Sequence, residues 1–332
     1  MAVFDKILVI GSNSFSGSCF SAYALDQGVK VFGASRSAEP NQVFLPYRWS
    51  KRSDNFSFRN FDINHHQDEI IELVKREKIT HIINFAAQSM VGQSWDHPED
   101  WFQTNAVSTV SLHNKLRHID FLERYIHVTT PEVYGSTDGF IKENTPFNPS
   151  TPYAVSRAAG DMSLKTFVDA YDFPAISTRA ANVYGPGQQL YRIIPRMILF
   201  IRLGKKLDLH GGGLSTRSFI HMDDVSSATW QLFSGGTIGG TYHISTDHIV
   251  SIRELVELIC SKMSADFDEY VNVSEDRLGK DAAYLLDSQK IRSETGWKDE
   301  ISLEHGIEAC INWVDANLST LKEQPMSYVH KP

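Results

Sequence analysis

Apolar positions along the chain fall into two alternating rhythms. Short, mostly β-branched runs stand at residues 6–12 (KILVIGS), 29–35 (VKVFGAS), 80–87 (THIINFAA), 124–130 (RYIHVTT) and 174–183 (PAISTRAANV). Between and after them lie longer stretches with apolar residues at helical spacing, such as QDEIIELVKREK at 67–78, SIRELVELICSKM at 251–263 and LEHGIEACINWVDANL at 303–318. Apolar runs too continuous to have a wet face, alternating with amphipathic helices, predict an α/β fold in which helices cover both faces of a parallel sheet. From about Gly185 the rhythm breaks into loop-like stretches, GPGQQLYRIIPR, LHGGGLSTRSF and SEDRLGKDAAY. The expected organisation is therefore a dinucleotide-binding domain over 1–184 and a smaller C-terminal α/β substrate domain over 185–332, with strands of the second half free to return to the main sheet.

Composition narrows the function classes. The chain has 332 residues, 42% hydrophobic and 22% charged, with a formal net charge of -8, which argues against broad electrostatic binding to nucleic acid or an anionic membrane. An anionic ligand must then be held by local donors. The start, MAVFDKILVIGS, lacks a basic region followed by a long apolar one, and no run reaches membrane-spanning length, so a cytoplasmic protein is expected. The three cysteines, Cys19, Cys260 and Cys310, are widely separated and fit reduced thiols; no metal site is suggested.

The first run leads into GSNSFSG, in which Gly11 and Gly17 bracket a turn before the stretch SCFSAYALDQG. Glycine there lets main chain approach a pyrophosphate, and the helix start offers unpaired N–H groups and a favourable dipole. The middle glycine of the usual three is replaced by Ser14. After the second run, where an acid would bind a ribose 2′-hydroxyl, the chain has Ser35, Arg36 and Ser37. An arginine there suits a 2′-phosphate, which favours NADP over NAD; a solvated loop arginine is the other reading. Asp62, in FDIN, is either an acceptor for the adenine amino group or a turn residue.

GSNSFSG, NFAAQS, TTPEVYG and YAVSR follow one another, each after an expected strand or opening an expected helix. Their order and spacing resemble the extended short-chain dehydrogenase/reductase family, specifically its nucleotide-sugar epimerases and 4,6-dehydratases. RAANVYGPGQ, GGGLSTRSFIHMDDV and EDRLGKDAAYLLDSQKIRSETGW resemble that family's substrate-side signatures. The resemblance implies a Rossmann-type doubly wound sheet, a nucleotide-diphosphate sugar as substrate and a homodimer paired through helices near 105–122 and 153–170. The cofactor would be held by Gly11, Ser14, Phe15, Ser16 and Gly17 at the first turn, Ser35 and Arg36 at the second, and Asp62, Ile63, Ala86 and Ala87 beyond.

The resemblance also implies a chemistry. Thr130 and Tyr153 take the positions of the hydroxyl pair at the sugar's C4 oxygen, with Tyr153 as base while C4 gives hydride to the nicotinamide. Ionising a tyrosine near neutrality requires a shift of about 3 pKa units, or about 4 kcal/mol, from neighbouring charge. Arg157, one helical turn after Tyr153, stands where the family has lysine. It keeps the cation and can fork onto ribose hydroxyls, but does not relay protons. Glu132 resembles the dehydratase glutamate that removes the C5 proton, although a glutamate capping the loop is the plain alternative. Pro131 replaces the acid found there in dTDP-glucose 4,6-dehydratases. AAQS followed by SW resembles GDP-mannose dehydratases, which use NADP. Gln88, Ser89, Asn182, Tyr191, Arg192, Arg217 and Arg277 match positions around the nucleotide sugar, and Asn105 matches a buried bracing asparagine. The expected function is an NADP-dependent 4,6-dehydratase, with NAD, a 4-epimerase or 4-reductase, and a decayed cofactor-binding scaffold as alternatives.

Overall fold

The computed structural model describes residues 4–137, 139–274 and 285–331. Five of its strands come from the first half: β1 (Lys6–Ile10), β2 (Lys30–Ala34), β3 (Phe56–Arg59), β4 (His81–Asn84) and β5 (Arg124–Val128). β6 (Phe140–Ile141) is a short outlying strand, followed by β7 (Ala175–Ala180), β8 (Asn182–Tyr184), β9 (Leu207–His210), β10 (Thr216–His221) and β11 (Thr241–Ile244). The main sheet has seven strands in the order β11-β7-β5-β4-β1-β2-β3, every pair parallel. The order reverses between β1 and β4, which opens a crevice at their carboxyl ends.

Alternate residues of β1 explain the two covered faces. Ile7 and Val9 join one apolar cluster with Phe20, Ala24 and Leu232, while Leu8 and Ile10 join another with Ile70, Leu112 and Leu116. All four are essentially inaccessible, and burying each such side chain contributes about 1.5–3 kcal/mol. A third core lies under the substrate-side helices Ile193–Arg202, Ile252–Lys262 and Leu303–Ala316. The helix Ile252–Lys262 starts with a reciprocal cap between Ser251 and Glu254. Cys19, Cys260 and Cys310 are buried free thiols.

The structure differs from the sequence pattern at two places that shape the site. The first helix starts at Phe15, earlier than the SCFSAYALDQG stretch, because Ser14 caps it. The run PAISTRAANV divides after Ala180: its first part is β7, and Asn182 onward turns into β8, which pairs with β10 outside the main sheet. β11 then returns from the second half to lie beside β7. Gly211–Gly213 form a tight turn, all with positive φ. No described helix is long and apolar enough to cross a membrane.

Candidate active site

The glycine turn has two separate steric demands. Gly11 has φ +84°, and a Cβ there would stand 2.6 Å from the backbone nitrogen of Ala86, at the end of β4. A Cβ on Gly17 would stand 2.2 Å from the Gly11 carbonyl oxygen. Only glycine permits this packing of helix, turn and neighbouring strand. Ser14 has a different role: its hydroxyl donates to the Gly11 carbonyl at 2.7 Å and accepts from the Gly17 N–H at 3.1 Å, so the side chain closes the turn. Asn13 then joins the first two turns. Its backbone N–H donates to Ser35 Oγ at 2.9 Å, its amide donates to the Ser37 carbonyl at 3.1 Å, and Tyr47 donates to its Oδ1 at 2.8 Å.

Gly11, Asn13, Ser14, Ser35 and Ser37 line a cleft of about 320 Å³ that also includes Arg36, Asp62, Ile63, Ala86 and Ala87. Asp62 Oδ1 accepts from the Asn64 N–H at 2.8 Å, so the residue shapes its own turn as well as facing the cleft. Phe15, Ser16 and Gly17 open the helix directly after Ser14 and are not among the residues lining the cleft; Phe15 and Gly17 are buried. The steric requirement for glycine where β1 meets β4 is the cradle that a dinucleotide pyrophosphate needs, and the residues present fit that group. Asn13, Ser37, Thr104, Tyr191 and Lys331 also line the cleft. Asn13 lay inside the glycine motif; the far-off Lys331 gave no sequence signal.

Thr130 and Glu132 come from the turn after β5. Thr130 caps the short helical turn Pro131–Tyr134, its side chain accepting from the Glu132 N–H at 3.3 Å, with Pro131 at the first helical position. Tyr153 is in the first turn of the helix Pro152–Tyr171, capped by Thr151, which accepts from the Ala154 N–H at 3.1 Å. Burial raises the Tyr153 pKa; the Arg157 charge lowers it, the Glu132 carboxylate raises it, and a hydrogen bond with Thr130 and the Arg192 charge lower it. Thr130, Glu132, Arg157 and Arg192 therefore share one electrostatic neighbourhood with Tyr153. Arg157 is buried and donates to the carbonyl oxygen of Val128, the last residue of β5.

A polar frame beneath this turn holds it in place. Asp161 Oδ2 accepts from the Thr129 hydroxyl at 2.9 Å and from Arg179 at 2.8 Å, both ions being nearly inaccessible. Arg179 also donates to the Tyr134 hydroxyl, which meets His243 Nε2 at 2.8 Å. On the other side, Asn105 is buried in a widened π-helical turn, Gln103–Ser108, accepting from the Gln88 N–H at 2.8 Å. Its amide donates to the Gln88 carbonyl at 2.9 Å and Ser156 Oγ at 3.0 Å. Gly160 allows this approach, since a Cβ there would lie 2.6 Å from the Asn105 carbonyl oxygen.

The other expected substrate residues occupy two places. Gln88 is buried, with its amide donating to the Lys331 carbonyl at 2.7 Å, and Ser89 is exposed beside it. Tyr191 lies over the cleft, and Arg192 starts the helix Ile193–Arg202. Asn182 and Arg217 are brought together by the β8–β10 pairing, where Asn182 is opposite Phe219, two residues from Arg217. Arg277 lies outside the described residues.

A seven-stranded parallel sheet with a glycine turn at its switch point and a hydrogen-bonded Thr130–Tyr153 pair beyond β5 defines the class of extended short-chain dehydrogenases/reductases acting on nucleotide sugars. The family model for GDP-mannose 4,6-dehydratase matches residues 8–310, and the chain belongs to that family. It is 33% identical over 243 residues to dTDP-glucose 4,6-dehydratase of Mycolicibacterium smegmatis, covering 72% of each chain. It is 34% identical to dTDP-D-glucose 4,6-dehydratase of Mus musculus, covering 75% of this chain and 72% of the other. Its fold resembles dTDP-glucose 4,6-dehydratase of Bacillus anthracis in complex with NAD, at a TM-score of 0.87 and 28% identity, covering 96% and 99% of the two chains. The fold extends to a UDP-glucuronic acid 4-epimerase of Bacillus cereus, at a TM-score of 0.85, 24% identity, and coverage of 94% and 99%. The protein is an enzyme of this nicotinamide-dependent dehydratase and epimerase class.

Proposed function

We propose that the protein is an NADP-dependent nucleotide-sugar 4,6-dehydratase acting as a homodimer. The observation that carries this reading is Glu132, placed by the Thr130-capped turn within electrostatic reach of Tyr153. A 4-epimerase has no use for a carboxylate there, because it breaks no bond at C5. Gly11, Ser14 and Gly17 would hold the cofactor's pyrophosphate, and Ser35 and Arg36 its adenosine ribose. When bound, the cofactor supplies hydride acceptance from C4 and hydride return to C6.

The remaining chemistry belongs to the chain. Tyr153 takes the proton of the C4 hydroxyl; its burial opposes ionisation, and the charges of Arg157 and Arg192 with the Thr130 hydrogen bond favour it. The C4 carbonyl acidifies C5–H. Glu132 removes that proton as the C6–O bond breaks and a C5–C6 double bond forms, then gives the proton to the departing oxygen, which leaves as water. Once C6 has its hydride, C5 takes up a proton in place of the one lost, balanced by the proton Tyr153 accepted, and both side chains return to their starting states. One carboxylate in both roles accounts for Pro131, whose side chain carries no proton. Asn182 and Arg217 would grip the diphosphate, supplying local charge in a protein of net charge -8, while Tyr191 and Arg192 belong to the loop that would cover the substrate.

Homodimer pairing is supported by apolar side chains exposed on the two helical segments near the site: Val107 at 58%, Val155 at 39% and Met162 at 63%. A monomer mass at micromolar concentration would remove that part of the reading. The function is tested by incubating the protein and NADP with GDP-, UDP-, dTDP- and CDP-sugars and weighing the products. Loss of one water, abolished by Glu132→Gln, is expected; turnover without a mass change would make the enzyme an epimerase.

A further inference from the structure

The segment 327–331 crosses the molecule from the substrate loop to the cofactor cleft, far in sequence from every motif. Tyr328 stands edge-on to Tyr191, with ring centroids 5.7 Å apart at 83°. His330 lies flat on Trp101, with centroids 5.0 Å apart at 12°, and its Nε2 meets Asp100 Oδ2 at 2.7 Å. The Lys331 carbonyl accepts from Gln88 at 2.7 Å, and Gln88 is itself fixed by Asn105. From these anchors the Lys331 ammonium reaches the Ser37 hydroxyl at 3.2 Å.

That hydroxyl lies just past β2, where the adenosine ribose sits in sheets of this order. Arg36 lines the same cleft as Lys331, and its charge lowers the Tyr328 pKa against the effect of burial, which puts Tyr328 close to it. Glu39 pairs with Arg48 at 2.6 Å and accepts from the Tyr47 hydroxyl at 3.0 Å. Two cations and the Ser35 and Ser37 hydroxyls gathered at one ribose position suit a dianionic phosphomonoester, whereas a bare hydroxyl uses one acceptor or donor.

We propose that segment 327–331 is a strap over the adenosine end of the cofactor cleft, and that Lys331 is a specificity residue, pairing with Arg36 on the dinucleotide's 2′-phosphate. The assignment rests on the NADP reading above. Anchoring by His330 and Gln88 lowers the conformational entropy that a free lysine would lose on gripping the phosphate.

The test uses the full chain without sugar substrate, measuring equilibrium binding of NADPH and NADH by the fluorescence of the bound dihydronicotinamide. Wild type is expected to prefer NADPH. Lys331→Ala should weaken NADPH by about five- to tenfold and NADH by less than about twofold, with Lys331→Arg restoring most of the loss and added salt shrinking the difference. If Arg36→Ala removes the preference while Lys331→Ala changes nothing, the strap assignment is overturned and the NADP reading stands. Equal weakening of both cofactors also overturns it, because the lysine then reads no phosphate. A wild-type preference for NADH removes the NADP reading and this assignment together.

Discussion

Arg157 lies one helical turn after Tyr153 and gives its guanidinium to the carbonyl of Val128, at the end of β5. The same side chain thus ties the helix that carries Tyr153 to the sheet and holds a fixed positive charge beside the phenol. A lysine has the charge without the planar fork, so the arginine trades proton relay for rigidity.

Removing this cation should move the pH profile in a defined direction. Burial already raises the Tyr153 pKa, and Arg157 is the largest opposing influence. Arg157→Ala leaves less tyrosinate at neutral pH, so the acid limb of kcat/KM should move upward by about 1–3 pH units. Activity near neutrality should fall about tenfold or more, with a milder effect for Arg157→Lys. An unshifted limb in the alanine variant would assign the arginine to bracing alone.

Glu132→Gln separates oxidation from elimination. The variant keeps Thr130, Tyr153 and Arg157, so substrate should still reduce the cofactor, visible in its absorbance. Exchange of the C5 proton with solvent deuterium should fall by about 10²–10⁴, the usual contribution of a positioned base. Undiminished exchange would mean that another group removes this proton.

The Asp161–Arg179 pair is buried and frames the Thr130 turn. Asp161→Asn leaves the arginine charge uncompensated, so stability should fall by about 3–5 kcal/mol, read as a lower urea midpoint. A loss under about 1 kcal/mol would show that the charge finds another partner.

Buried histidines make the fold acid-sensitive. Burial lowers His81 to about 4 and His243 to about 3, and lowers His127 well below its ordinary value, with Arg157 and Arg179 adding to the effect. Each has a folded pKa below the unfolded value of about 6.5, so the unfolded chain binds more protons as pH falls. Stability should therefore be fully present above about pH 6.5 and decline between about pH 6.5 and 4, by up to about 1.4 kcal/mol per pH unit for each histidine. Urea unfolding at pH 7 and pH 5 checks this, and equal midpoints would contradict it.

Local pattern carried much of the architecture. The β-branched runs became the strands of a parallel sheet, and QDEIIELVKREK became the helix Gln67–Glu77, because strand and helix periodicity are properties of neighbouring residues. The glycine turn was also legible, since the steric demand for glycine is local. Ser14 was visible only as a missing glycine; its capping bonds to Gly11 and Gly17 depend on where the helix starts.

By itself the sequence indicated the class of fold and the glycine turn, and helical spacing set Tyr153 and Arg157 on one face; the grouping of Thr130 and Glu132 with them was implied only by the family resemblance. Tertiary structure alone decided the break after Ala180, which strand returned to the main sheet, the meeting of the Thr130 turn with Tyr153, the Asp161–Arg179 frame and the approach of Lys331 to Ser37. Those contacts join residues distant in the chain, and their geometry follows from how whole layers pack, which no local periodicity records.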